Sequence, residues 1–166
     1  MGENMDPKFQ AWYGNLQATM RSLQRIERDV EAATGLPMAS VEVLVNIGFE
    51  EEGRMRMGDL ADTLLLSRGG ATRLVARLEE AGLVAREIPP DNRRATYAVI
   101  TDKGIEAIGA AEPILKRAVA DHYTVHLDDS EVAAVRDVSL KILRETGSNC
   151  DWLLEDVHAA AEAADS

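Results

Sequence analysis

The sequence predicts a mostly α-helical protein with one small β-hairpin, and three observations predict it. Hydrophobic residues make up 46% of the 166 residues and charged residues 28%, yet aromatics are only 4%. A globular core must therefore come from Leu, Val, Ile, Ala and Met. Apolar residues recur at helical spacing along most of the chain. One alternating stretch, interrupted by Pro89-Pro90, reads instead as two strands and a turn.

Asp6-Pro7 opens the first helix, an acid at the cap followed by proline at the first helical position. Leu16, Met20, Leu23, Ile26 and Val30 form its stripe, and Gly35-Leu36-Pro37 stops it. Ser40 is expected to cap a second, very apolar helix carrying Val41, Val43, Leu44, Val45 and Ile47 and ending around 50–53. A short strand at 55–57 and a short helix at about 58–65 follow, the helix turning Leu60, Ala61 and Leu64 inward. Leu66-Ser67 is a turn, and Ser67 can cap the next helix, about 68–81. In that helix Leu74, Val75 and Leu78 face the core, whereas Arg73 and Arg77 lie outward one turn apart, with Gly82 closing it. Strands at 83–88 and 95–100 flank a Pro89-Pro90-Asp91-Asn92 turn. Thr101 caps a long helix to about residue 126, with Pro113 inside it. Asp128 and Glu131 have capping-box spacing for a further helix that stops at Gly147, and Trp152, Leu153 and Val157 give the tail one apolar side.

Composition narrows the function. No apolar run approaches the roughly 20 residues of a membrane span, and the first ten residues carry acids rather than the apolar core of a secretion signal. A single cysteine, Cys150, excludes an internal disulfide framework, and the reducing cytoplasm is the expected setting. The net charge of −11 argues against nucleic acid until its distribution is considered. Residues 54–94 carry +2 and the remainder −13, and all eight cations of that segment are arginine. Screening acts over about 10 Å, so a basic face can work beside an acidic body.

Short helix, tight turn, helix and hairpin in that order make a winged helix-turn-helix, whose second helix presents its N-terminal residues to base edges in the major groove. Ser67, Arg68, Thr72 and Arg73 occupy those positions, with Arg77 one turn deeper. Gly69 and Gly70 cost about 1 kcal/mol each in a helix relative to alanine, and their bare backbone allows close approach to DNA. Asp91, Asn92, Arg93 and Arg94 form the hairpin tip, where adjacent arginines suit a narrow minor groove.

The run Leu60-Ala61-Asp62-x-Leu64-x-Leu66-Ser67-Arg68-Gly69-Gly70-Ala71-Thr72-Arg73-Leu74-Val75 resembles the MarR family of bacterial transcription regulators. So do Leu78-Glu79-x-x-Gly82-Leu83-Val84 and Arg93-Arg94-Ala95-Thr96-Tyr97-Ala98-Val99-Ile100-Thr101. The resemblance implies one unit over 1–166. Segments 6–36 and 102–166 would be dimerisation helices, and 38–101 a winged DNA-binding lobe. It further implies a homodimer on a palindromic operator in double-stranded DNA, most often a repressor, released by a small aromatic or phenolic effector whose site is not assigned. Family wings carry Asp-x-Arg with the acid nine residues before the threonine that opens the long helix; counting back from Thr101 reaches Asn92. Either Asn92 takes the acid's place and Arg94 is the groove arginine, the preferred register, or the wing has one extra residue and Asp91 pairs with Arg93.

Blander readings stand beside these. Arg73, Arg77 and Glu80 can be a solvated face, with Arg77 and Glu80 paired one turn apart. His122 and His126 have metal-ligand spacing, but no third ligand sits at a convincing distance in sequence, and polar contacts near a lobe or dimer junction are the simpler reading. Cys150 lacks a neighbouring cation to favour its thiolate and reads as inert. Trp12, Tyr13, Met20, Met38, Phe49 and His122 are effector-cavity candidates that more simply belong to the core. A winged-helix module for binding protein is the rival class. No phosphate loop, HExxH or GxSxG appears, so neither an enzyme nor a cofactor is expected.

Overall fold

A computed structural model describes residues 5–50, 52–90, 92 and 95–147. The chain divides into two compact units, residues 1–126 and 127–166. The first begins with α1 (Pro7–Thr34), and both ends follow the expected chemistry. The Asp6 carboxylate accepts from the Lys8 amide at 3.0 Å, and Gly35 takes the left-handed conformation (φ 72°) that closes the helix. Helix α2 (Met38–Gly48) starts earlier than expected. Pro37 occupies its cap position without a side-chain bond, and Ser40 lies inside the helix and is buried. The proline presets the first turn, so no capping hydroxyl is required.

Strand β1 (Arg54–Arg56) leads into α3 (Met57–Thr63) and α4 (Arg68–Glu80), followed by β2 (Val84–Glu87) and β3 (Tyr97–Ile100). The expected two-stranded hairpin is in fact a three-stranded antiparallel sheet in the order β1-β3-β2. Arg54 pairs with Val99 and Arg56 with Tyr97 on one side of β3; Val84 pairs with Ile100 and Glu87 with Tyr97 on the other. The wing therefore grows from a central strand anchored on both edges.

Helix α5 (Asp102–His122) opens at Thr101, whose Oγ1 accepts from the Gly104 amide at 3.1 Å. It runs through Pro113 and ends at His122, short of the expected residue 126, which falls in a separate 3₁₀ turn (Thr124–His126). Two buried clusters hold this unit together. Val43, Leu44, Ile47, Leu60, Leu74, Val75, Leu78, Leu83, Val84 and Ala98 form one, beneath the sheet and α3–α4. Ile26, Val30, Val41, Ala111 and Ala118 form the other, between α1 and α5. Helix α2 contributes to both, which explains its apolar character on nearly every side.

In the second unit α6 (Asp129–Glu145) has the full capping box. Asp128 Oδ1 accepts from the Glu131 amide at 2.9 Å, and Glu131 Oε2 accepts from the Asp128 amide at 2.9 Å. The Ser130 hydroxyl and the Glu131 amide hold the Asp128 carboxyl below its ordinary pKa. Cys150, Trp152, Leu153 and Val157 lie outside the described residues.

Candidate nucleic-acid interface

Helix α4 is fixed to the core by Ala71, Leu74, Val75 and Leu78, all buried. That spacing leaves Arg68, Thr72, Arg73 and Arg77 exposed, as the helical pattern predicts. Among the described residues none of these arginines is in an ion pair, so the proposed Arg77–Glu80 pairing is not formed. The helix start is built by Ser67, whose Oγ accepts from the Gly70 amide at 3.1 Å. Its hydroxyl hydrogen is left for an outside acceptor such as a phosphate oxygen. Thr72 differs: its hydroxyl donates to the Arg68 carbonyl at 2.8 Å. What it can offer outward is a lone pair and a methyl group, which suit a base amino group or a thymine methyl rather than a phosphate.

The approach of α3 to α4 depends on a strained turn. Leu65 has φ 52° and is 92% exposed. The Leu66 amide donates to Ala61 O at 2.8 Å, closing α3 in the pattern usually made by glycine. Gly58 of α3 lies 3.8 Å (from a hypothetical Cβ) from the Arg68 guanidinium, so the first cation of α4 rests against α3. A Cβ on Gly69 would meet nothing, whereas one on Gly70 would lie 3.2 Å from Ser67 Oγ. Gly69 is therefore the open backbone of the helix start, and Gly70 is confined by the cap.

Two arginines counted with the basic segment serve the unit itself. Arg86 of β2 donates through Nη2 to Thr72 O at 3.0 Å, and its Nε lies 3.4 Å from Glu79 Oε2. It thus ties the wing strand to α4 at two points about two turns apart. Arg54 is ion-paired with Glu52, lies 3.9 Å from Glu87, and sits 5.3 Å from the centre of the Tyr97 ring. Apart from the Arg54–Glu52 pair, these contacts were not visible in the sequence, because they join strands to partners farther along the chain. At the wing, the Asn92 amide donates to Pro89 O at 3.2 Å and its carbonyl accepts from the Ala95 amide at 3.0 Å. Asp91, Arg93 and Arg94 lie outside the described residues.

The other candidates fall elsewhere. Trp12, Tyr13, Met20 and Phe49 are exposed, which overturns their reading as core. Trp12 and Tyr13 gather with Phe9, the Phe9 ring centre 5.5 Å from Trp12 and 5.8 Å from Tyr13. Met38 is half-buried against the α1–α5 cluster. His122 Nε2 is 2.6 Å from Asp29 Oδ2 of α1. Among the described residues no three His, Cys, Asp or Glu side chains gather as metal ligands, and no single helix is long and apolar enough to cross a membrane.

A helix-turn-helix whose second helix is braced by a three-stranded antiparallel sheet is a winged helix-turn-helix. The MarR family model matches residues 34–95, from the end of α1 through the wing. Over most of the chain the structure is similar to AbsC, a MarR family transcriptional regulator from Streptomyces coelicolor. That similarity is 30% identity over 88% of this chain and 97% of AbsC, with a TM-score of 0.75. It also superimposes on Sco3205, a MarR family regulator from the same organism solved in complex with DNA (TM-score 0.77, 90% of this chain and 96% of that one), at 23% identity, a likeness of fold. The regulator MhqR of Bacillus subtilis is 30% identical over 98 residues, covering 59% of this chain and 64% of its own. The uncharacterised regulator YkoM of the same organism is 28% identical over 102 residues, 61% of this chain and 63% of its own. The chain thus spans a little under two thirds of these two curated relatives. It belongs to the MarR family, and its family and fold are those of transcription regulators.

Proposed function

We propose that the protein is a cytoplasmic, sequence-specific DNA-binding transcription regulator acting as a homodimer on a palindromic operator. The observation that carries this reading is the exposed face of α4. Arg68, Arg73 and Arg77 have no ion-pair partner among the described residues, beside a capped helix start and an open Gly69. A helix N-terminus carries partial positive charge, and unpaired guanidinium groups suit phosphates and guanine edges. In this reading Ser67 and Arg77 hold phosphates, Arg68, Thr72 and Arg73 read bases or adjacent phosphates, and Gly70 keeps the cap in place. Asp91, Asn92, Arg93 and Arg94 of the wing reach the minor groove, with Arg94 as the groove arginine. Repression and release by a small aromatic or phenolic molecule rest on family membership alone.

Binding measured against salt tests this directly. Arg77→Ala should reduce the slope of log K against log salt by about 1 and leave base preference unchanged, as loss of a phosphate contact does. Arg73→Ala should relax preference at one base pair. Arg94→Ala should weaken operator binding by about 1–3 kcal/mol, and Arg93→Ala by less. A winged helix that serves to bind protein instead would show no salt-dependent affinity for DNA, and none of these variants would matter.

Gly69 gives a second expectation with opposite signs. Gly69→Ala fills empty space on a helix and should raise stability by up to about 1 kcal/mol. The added methyl would stand where the DNA backbone approaches, so operator affinity should fall. Thermal unfolding and a binding isotherm on the same preparation separate the two. A rise in both quantities would remove Gly69 from the interface.

A further inference from the structure

Alternation along β2 places Val84 and Arg86 on one face of the strand. Val84 is buried with Leu74, Val75 and Leu78 of α4, so that face is turned to the helix. Arg86 continues it beyond the edge of the core. On α4, Thr72 and Glu79 are seven residues apart, two turns along the same flank. The Arg86 guanidinium spans both: Nη2 donates to Thr72 O at 3.0 Å, and Nε lies 3.4 Å from Glu79 Oε2.

These contacts set Arg86 apart from the arginines that face outward on α4. Glu79 matches its charge and Thr72 takes one of its N–H groups, so its charge is balanced inside the unit. Strand β2 lies at an edge of the sheet, paired with β3 on one side alone. Val84 seats its inner end on α4, and Arg86 lies one residue before its outer end, where the chain leaves for the wing. A single contact there would leave the strand free to pivot about Val84. A planar fork bonded at two points of one helix removes that freedom. Thr72 stands next to Arg73 and one turn from Arg68, whose carbonyl accepts its hydroxyl at 2.8 Å. The strand is thus braced on the stretch of α4 that carries the outward arginines.

We infer that Arg86 is a positioning residue for DNA binding. By holding β2 on α4 it makes the helix and the wing one rigid piece, so that contacts in the major and minor grooves form together. The inference rests on the DNA-binding reading above and goes beyond it, because Arg86 acts through α4 and the wing and touches no DNA itself.

The test is a double-mutant cycle on the full chain at one salt concentration. The probe is the DNA duplex that the wild-type chain selects from a random pool. The arms are wild type, the wing pair Arg93→Ala/Arg94→Ala, Arg86→Gln, and the wing pair combined with Arg86→Gln. In the wild-type background the wing pair should weaken binding about tenfold or more. In the Arg86→Gln background it should cost about threefold or less, since residues that act as one unit are non-additive on this scale. A residue that only stabilised the fold would lower the melting temperature and leave the two ratios equal. The cycle is repeated on Glu79→Gln/Arg86→Gln, which removes one charge of each sign and keeps the net charge. There too the wing pair should cost about threefold or less. Arg86→Lys keeps the charge beside Glu79 but lacks the fork. It supplies the same cycle if Arg86→Gln does not fold, and the wing pair should cost less in it than in wild type. Equal ratios with and without Arg86 overturn the inference and leave the DNA-binding reading standing. So does recovery of the full wing contribution in the charge-matched pair. A wild-type chain that enriches no duplex from the pool overturns the reading itself, and the inference with it.

Discussion

Gly104→Ala should destabilise the protein by about 3 kcal/mol or more, the range of overpacking against backbone that cannot move aside. Gly104 lies in the first turn of α5, buried, where a Cβ would come within 2.3 Å of Leu83 O and 2.8 Å of Ile100 Cγ1. The carbonyl cannot retreat. It already accepts from the Thr101 amide at 3.2 Å, and the Thr101 hydroxyl donates to Gly82 O at 2.8 Å while its oxygen caps α5. Lys103 Nζ reaches Ala81 O at 2.8 Å, which ties the same turn to the end of α4. A single methyl group therefore strains the place where α4, the wing and α5 are joined. At about 2–4 °C per kcal/mol for a chain of this size, the melting temperature should fall by roughly 10 °C. Gly109→Ala is the control: the same helix and the same chemical change, but with nothing near the new methyl. It should raise stability by up to about 1 kcal/mol. If Gly104→Ala melts like Gly109→Ala, the close packing at this joint is not what holds it.

The joint also marks what a sequence can and cannot reveal. Interactions between a side chain and backbone a few residues away were legible, because spacing alone defines them. Asp6, Gly35, Ser67, Thr101 and the Asp128–Glu131 pair all act at the ends they announced. The inward face of α4 was legible for the same reason. Ser40 misled because Pro37, immediately before the helix start, fixes the entry of the chain without a side-chain cap. Interactions that depend on distant segments were hidden. The short strand expected at 55–57 is present as β1, but its pairing to Val99, Ala98 and Tyr97, which makes the sheet three-stranded, was not visible. Gly104 looks like any glycine in a helix until Leu83 is placed against it. Arg86 looks like one more cation of a basic segment until Thr72 and Glu79 take it up. The exposed aromatics of α1 were read as core on composition, and burial reverses that reading because the segment before Ile26 has little of this unit to pack on.

That exposed surface leads to the prediction with the largest effect on DNA binding: a chain ending before Asp128 should be monomeric and should bind the palindrome about 100-fold more weakly or worse. Phe9, Trp12, Tyr13, Met20 and Leu23 of α1 are exposed, and so, in the other unit, are Val132, Val138 and Ile142 of α6. Apolar area of this kind is stabilised at about 25 cal/mol per Å² when water is removed from it, and contiguous exposed patches commonly mark association surfaces. A second copy is the simplest partner, because a two-fold axis makes one patch complementary to itself. The same axis relates two α4 helices, so the half-sites should lie about 10 bp apart, one turn of DNA. Once one α4 is seated, the other meets its half-site at the effective concentration set by the dimer, which strengthens binding by about 10²–10⁴ without any new contact. Removing α6 takes away one of the two apolar surfaces and with it this gain, while α4 and its arginines remain intact. Removing 147–166 alone should weaken the dimer without abolishing it. Sedimentation equilibrium gives the state of each chain, and binding to one isolated half-site provides the internal reference. The truncated chain should bind that half-site as well as the full chain does, with only the palindrome losing affinity. A truncated chain that still sediments as a dimer and holds the palindrome at full strength would place the dimer surface elsewhere.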